Sequence, residues 1–382
     1  MEESTGEGNH EEQTMSTTTF QDPTATLTRG GRPSDRCPEE LLSRYRTILN
    51  EQRLNWTEHH RLIKLLGSGG QGVVYLSQRR GADNFTLPVA LKIFSPHRYP
   101  DERGYDESMA RIADVAARVA QIQQDNLLDV HNFVDRNRIR LMEMEWIDGY
   151  DLSLLLSKKM FERTHERVSN RRWDYLNNVI VTAGPKQARL KPGVAIAILR
   201  DCLAALAALH REGIVHGDMK PSNIMIKRSG HAKVIDIGSA FDVEKAPQRK
   251  SCTPAYAAPE ILEAGESSPR SDLCSLGYVL IEMMAGAPPF AGLISYQDLL
   301  EAKRVLVHRL PQILPDEVVR NELLMNLCRS MIAPDPMLRF PSAEDANIGR
   351  NGGAASFHRQ LVKSDLASEY DNELRLWLED LD

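Results

Sequence analysis

From residue 61 the chain runs through short apolar segments separated by turn-forming residues: RLIKLLGSG, GVVYLSQ and PVALKIF. Segments of that length predict a small antiparallel sheet. Between residues 109 and 122, Ile112, Val115, Val119 and Ile122 recur at three- and four-residue steps, which predicts one amphipathic helix. Two further apolar runs follow, LLDVHNFV and IRLMEMEWI, and the second reads as a strand ending in a loop over residues 142–151. After Gly149 the pattern is mostly helical to about residue 345, with no internal repeat. The order is that of an α+β chain with a small β-rich lobe ahead of a larger helical one.

The flanks differ from this body. Residues 1–36 are rich in Thr, Ser, Glu, Gly and Pro and poor in large apolar side chains, so they read as a disordered tail. Residues 37–60 form an extension in which Leu41, Leu42, Tyr45, Ile48 and Leu49 fall near helical spacing, with Pro38 suited to a first turn. Residues 346–382 read as a glycine-rich linker and a final helix. Within the helical region, residues 158–191 carry nine Lys or Arg against three acidic residues. That stretch reads as an irregular basic insertion.

Composition narrows the function. Hydrophobic residues make up 42% and charged residues 26%, an ordinary globular balance, and the net charge of −6 supplies no basic face for nucleic acid. Cys37, Cys202, Cys252, Cys274 and Cys328 show neither paired spacing nor a zinc pattern, as expected in a reducing cytoplasm. The acidic start MEESTGEGNHEEQ does not resemble a secretion signal, and the most apolar segments, residues 194–210 and 276–294, are interrupted by Arg200, Asp201 and Glu282. A cytoplasmic protein without a membrane partner is the expectation.

The chemistry concentrates at a few places. LGSGGQGVVY, residues 66–75, sets Gly67, Gly69 and Gly72 between two strands. Because Val73, Val74 and Tyr75 continue as a strand, the motif predicts a hairpin flap over phosphates and not the helix opening of a dinucleotide site. Lys92 follows in VALK, where an ammonium neutralises phosphate charge. HGDMKPSN, residues 216–223, is shared by protein kinases and small-molecule phosphotransferases.

Further motifs separate those two. DIG at 236–238, APE at 258–260, SDLCSLG from Ser271 and Arg339 in DPMLRF complete a set that resembles the eukaryotic-type Ser/Thr protein kinases, including their bacterial relatives, over residues 61–345. The resemblance implies a bilobal fold with an N-terminal lobe over 61–145 and a C-terminal lobe over 149–345. It implies ATP and Mg2+ as cofactors and a protein substrate with a Ser or Thr hydroxyl. By the matching motifs, Asp218 orients the acceptor proton, Lys220 and Lys92 steady phosphates, and Asn223 and Asp236 hold magnesium. Gly67, Gly69, Gly72 and Val74 cover the nucleotide, Glu145 and Ile147 offer backbone hydrogen bonds to adenine beside Met144, and Asp151 lies where an acid binds ribose. Asp272 is expected to steady the catalytic loop, and Arg339 to pair with Glu260.

Two positions depart from the family pattern. Gly217 stands where an arginine usually precedes the catalytic Asp, which implies activity without a phosphate on the activation segment; Arg249 and Lys250 are the local alternatives for holding one. The glutamate that pairs with Lys92 is not fixed by the pattern: family spacing lands on Val115, and Asp114 is the preferred partner over Glu107. If neither reaches Lys92, a nucleotide-binding pseudokinase scaffold gains ground, beside the other alternative of a small-molecule phosphotransferase. The basic stretch 158–191 is expected to dock an acidic partner, against the plainer reading of a solvated face.

Overall fold

Strands flanked by glycine and polar turns build the first lobe. The computed structural model describes residues 25–27, 39–51, 53–55, 59–81, 83–246, 250–349, 352–362 and 370–381. In chain order, β1 (Ala25–Leu27), α1 (Glu39–Asn50) and β2 (Arg53–Asn55) precede β3 (His59–Gly69), β4 (Gly72–Arg80), β5 (Thr86–Phe94), α2 (Glu102–Val119), β6 (Val130–Arg136) and β7 (Ile139–Glu145). An antiparallel sheet runs in the order β2-β3-β4-β5-β7-β6. β5 lies between β4 and β7, and its apolar Val89, Leu91, Ile93 and Phe94 are buried. The extension thus contributes a strand to the sheet, while α1 buries Leu41, Leu42, Tyr45 and Ile48 against the same lobe.

Helix α2 starts at Glu102, ahead of the expected Met109, because Asp101 caps it by accepting from Gly104 N at 2.7 Å. Its inner face buries Tyr105, Met109, Ile112, Val115 and Val119.

The second lobe opens with β8 (Gly149–Asp151), α3 (Leu152–Leu155), α4 (Lys158–Arg167), α5 (Asn170–Val179), β9 (Val181–Ala183) and β10 (Ala188–Leu190). The basic stretch is therefore ordered into two helices and a hairpin, contrary to the irregular expectation. Ser157 and Ser169 cap α4 and α5, and only Met160, Thr164 and Leu176 are buried, too few to give the charged sequence a visible period.

Helix α6 (Pro192–Arg211) is apolar except at Arg200, Asp201, His210 and Arg211 because it forms the core of this lobe. Then come β11 (Ile214–Val215), β12 (Ile224–Lys227), β13 (Ala232–Val234), β14 (Phe241–Asp242), β15 (Lys250–Cys252), α7 (Pro259–Leu262) and α8 (Pro269–Ala285). The chain closes with α9 (Tyr296–Ile313), α10 (Asp316–Val319), α11 (Glu322–Ile332), α12 (Ala343–Ile348), α13 (Ala354–Val362) and α14 (Tyr370–Asp380). α6 packs against α8, α12, α13 and α14. It is long and apolar enough to cross a membrane, but 78% of its most apolar window is buried within the fold.

The C-terminal stretch forms α13 and α14 instead of one helix, with residues 363–369 outside the described set. α14 buries Leu374, Trp377 and Leu378. Its acids meet the basic stretch: Arg172 Nε lies 2.9 Å from Asp380 Oδ2, and Tyr175 OH donates to Glu373 Oε1 at 2.7 Å. Arg167 donates to the Leu381 carbonyl at 2.6 Å. The tail expected to be disordered lies outside the described residues except at β1. That strand pairs antiparallel with β15, Ala25 opposite Cys252 and Thr26 opposite Ser251.

Candidate active site

The glycine hairpin and β5 form the roof of the site. A Cβ on Gly67 or Gly69 would meet nothing within 4 Å, so the backbone there presents an open face. Gly72 differs: at φ +137°, its Cβ would come within 2.0 Å of the Ile93 carbonyl oxygen, and only glycine permits the hairpin to lie on β5. In the sheet register Val74 stands opposite Lys92.

Lys92 is 4% exposed and reaches into the cleft. Its Nζ donates to Asp236 Oδ1 at 2.6 Å and to Gln71 Oε1 at 2.7 Å. Neither acid considered on α2 takes part: Glu107 pairs with Arg103, and no contact joins Asp114 to Lys92. The expectation for Asp114 is corrected, for a simple reason. The position facing inward is Val115, buried in the apolar seam, and its neighbour Asp114 is turned off that seam by the helical step. Burial alone would raise the Asp236 carboxyl, but the Lys92 charge and hydrogen bonds from Lys92 and Gly238 outweigh it, so its pKa falls to about 2.

Beneath the cleft, Asp218 Oδ1 accepts from Thr253 N at 2.9 Å and from Thr253 Oγ1 at 2.7 Å. Lys220 Nζ lies 2.7 Å from Asp218 Oδ2 and donates to Thr253 Oγ1 at 2.9 Å. Asn223 Nδ2 donates to the Asp218 carbonyl at 2.8 Å. The loop is fixed from below by Asp272, whose carboxylate accepts from His216 N at 2.8 Å and Gly217 N at 2.9 Å. Asp272 is 2% exposed, and burial works to raise its carboxyl, yet His210, His216 and the Gly217 N–H hold it below the usual range. The expected steadying role of Asp272 matches this geometry.

A second set of bonds anchors the segment after Asp236. Arg339 grips Glu260 through two parallel bonds of 2.7 and 2.8 Å, the bidentate geometry that favours arginine over lysine. Lys303, invisible to motif reading, donates to the Ala255 carbonyl at 2.7 Å with its ammonium over the rings of Tyr278 and Phe290. Burial pushes its ammonium down to about 7. The signal was present in the sequence: Lys303 interrupts the buried face Leu299, Leu306, Leu310 of α9.

At the back of the cleft, Met144 is buried beside Ala90 and opposite Val130. The Glu145 side chain turns to Lys233 and to Asp129 N, and its own N–H donates to the Asp129 carbonyl at 3.0 Å, ahead of Ile147 in the inter-lobe loop. Asp151 caps α3 by accepting from Leu154 N at 3.0 Å, a structural duty the sequence did not suggest.

The donor set suits a nucleotide with a hard divalent cation. Asn223 Nδ2 and Asp236 Oδ1 are engaged by the protein, and among the described residues no donor claims Asn223 Oδ1 or Asp236 Oδ2. Two such oxygens fit magnesium, which keeps water for the rest of its shell.

Gly217 has φ +77°, the left-handed region open to glycine at no cost. A cavity lined by Gly217, Ser239, Cys252, Ser271 and Asp272 lies beside it. Arg249, one of the two alternatives for holding a phosphate there, lies outside the described residues; for Lys250 only the backbone is described.

The protein kinase domain family matches residues 60–347. The serine/threonine-protein kinase PknD of Mycobacterium tuberculosis is 31% identical over 293 residues, 76% of this chain and 39% of that protein. PknL of the same species is 32% identical over 243 residues, 61% of this chain and 52% of that protein. PknH of Mycobacterium bovis is 30% identical over 235 residues, covering 60% and 34%. The chain therefore spans between 34% and 52% of these relatives' lengths.

Proposed function

We propose, from the premise that this chain belongs to the protein kinase family, that it transfers the γ-phosphoryl group of ATP to Ser or Thr hydroxyls of a protein. The observation that carries this reading is the Thr253–Asp218–Lys220 cluster, which ties the catalytic loop to the segment ahead of Glu260. A small-molecule phosphotransferase needs no such platform, whereas a polypeptide acceptor does. The Ser/Thr kinase names carried by PknD and PknL point the same way.

In this reading Asp218 takes or orients the acceptor proton, and Lys220 stays close enough to screen the transferring group. Gly67, Gly69 and Gly72 let backbone N–H groups approach the phosphates, with Val74 above the base and Lys92 on the phosphate charge. Glu145 and Ile147 present backbone groups to adenine, and Asp151 meets ribose while capping α3. Asn223 and Asp236 would hold Mg2+, which supplies charge neutralisation between phosphate oxygens when bound. Because Gly217 offers no side chain to a phosphate, activity is independent of activation-segment phosphorylation.

The acidic partner of residues 158–191 is, in the same proposal, supplied in cis. The α14 carboxylates already lie on Arg172, and an outside acidic segment would have to displace them. A cytoplasmic location goes with the free, buried Cys202, Cys274 and Cys328. One observation favours a nucleotide-binding scaffold instead: no α2 carboxylate reaches Lys92.

Incubation with labelled ATP and Mg2+, offering protein, aminoglycoside and choline acceptors side by side, separates these readings. Label on protein Ser or Thr supports the proposal; label on a small alcohol alone, or on nothing, contradicts it.

A further inference from the structure

We propose that Gln71 is a positioning residue for the phosphoryl transfer, holding Lys92 in place of the helix carboxylate that α2 lacks. The inference rests on the kinase reading above. Lys92 has three N–H bonds to direct. One goes to Asp236 Oδ1 and another to Gln71 Oε1, at 2.6 and 2.7 Å. The same amide donates through Nε2 to Ser239 Oγ at 3.0 Å, and the Gln71 main-chain carbonyl accepts from Ser95 N at 3.0 Å. Gln71 thus joins the hairpin tip, the end of β5, Lys92 and the start of the activation segment.

The orientation of the amide follows from its neighbours. Turning it over would set its NH2 group against an ammonium, leaving two donors face to face. Space for the side chain depends on Gly238, where a Cβ would fall 2.1 Å from Gln71 Oε1 and 2.8 Å from Lys92 Nζ. On α2 the nearby carboxylates are taken: Asp106 bonds Arg138 at 2.8 Å, and Glu107 bonds Arg103 at 2.8 Å.

An amide oxygen has a consequence that a carboxylate would not. It orients the ammonium without cancelling its charge, so the full positive charge of Lys92 remains for the nucleotide phosphates. Were the Asp236 carboxylate to hold a cation, Gln71 would remain as an acceptor that keeps Lys92 aimed into the cleft. The position of α2 then matters less, because the partner of Lys92 travels with the hairpin.

The test compares wild type, Gln71→Ala and Gln71→Glu by steady-state kinetics, and in parallel by the reactivity of Lys92 toward an amine-modifying reagent without nucleotide, read by mass spectrometry. Gln71→Ala is expected to lower kcat about tenfold or more while changing KM for ATP less than about threefold, and Gln71→Glu, which keeps an oxygen at that reach but offsets part of the ammonium charge, is expected to lose less than Gln71→Ala. Lys92 modification is expected to quicken in Gln71→Ala. An unchanged kcat, a loss confined to KM, or equal losses in both variants overturns the proposal. If wild type proves inactive, the kinase reading fails, and Lys92 reactivity alone decides this one: equal modification rates in wild type and Gln71→Ala overturn it.

Discussion

Thr253 donates both its backbone N–H and its hydroxyl to the same carboxylate oxygen of Asp218, at 2.9 and 2.7 Å. Charge-assisted bonds of this kind fix the rotamer of the accepting group, here with the remaining oxygen, Oδ2, beside Lys220. The segment proposed to receive a polypeptide is thereby tied to the group proposed to receive its proton.

Thr253→Ser keeps the hydroxyl and Thr253→Ala removes it while leaving the N–H bond. The account expects Thr253→Ala to lose about tenfold or more in kcat, and Thr253→Ser to lose less than about threefold. Steady-state rates with a protein substrate, alongside melting curves, check this. Equal rates in the three proteins contradict it.

Lys303 makes stability depend on pH in a defined window. Its folded pKa is depressed to about 7 by burial, while in the unfolded chain it titrates near the ordinary lysine value of about 10.4. Between these values the unfolded state binds the extra proton, so stability rises with pH across the window. The contribution is fullest above the unfolded pKa and is lost as pH falls toward 7. Relative to Lys303→Met, the wild type is expected to gain up to about 1.4 kcal/mol per pH unit between pH 7 and 9. Denaturant melts of both proteins at several pH values measure the difference, and a flat difference contradicts the assignment.

Much of this arrangement was legible in the sequence and some was not. Lys92, Asp218, Asn223, Asp236, Glu260 and Arg339 stand in short motifs, and the fold joins Lys92 to Asp236, Asn223 to Asp218 and Arg339 to Glu260 by hydrogen bonds. Asp114 failed because a one-residue shift on a helix is a turn of about 100°, which spacing arithmetic cannot absorb when an apolar Val115 holds the inward position. The basic stretch misled for another reason: α4 and α5 bury few side chains, and the acids that meet Arg172 lie about two hundred residues later, on α14. The link from Gln71 to Lys92 depends on how the hairpin folds back, which no local pattern encodes.

The docking of α14 is expected to contribute substantially to stability. Trp377 is 1% exposed, and its Nε1 faces Thr164 Oγ1 at 3.4 Å. Trp377→Ala should cost about 3–5 kcal/mol by loss of burial and the cavity left behind. Urea unfolding gives the value directly, and a cost below about 1 kcal/mol contradicts a packed role for α14.

β1 lies on the edge of β15, immediately before Thr253. An extended protein substrate that adds a strand to that edge must compete with residues 25–27. Removal of residues 1–36 is therefore predicted to lower KM for a protein substrate about threefold or more, with KM for ATP unchanged. An unaltered protein KM, or a parallel shift for ATP, contradicts the competition.

The most direct test of the central claim is phosphate transfer itself, measured with labelled ATP, Mg2+ and a protein acceptor for wild type and Asp218→Asn. The account predicts label on Ser or Thr hydroxyls with wild type and a loss of about 100-fold or more with Asp218→Asn, since a positioned base contributes on that order. Equal labelling by the two proteins, or none by wild type, would contradict it.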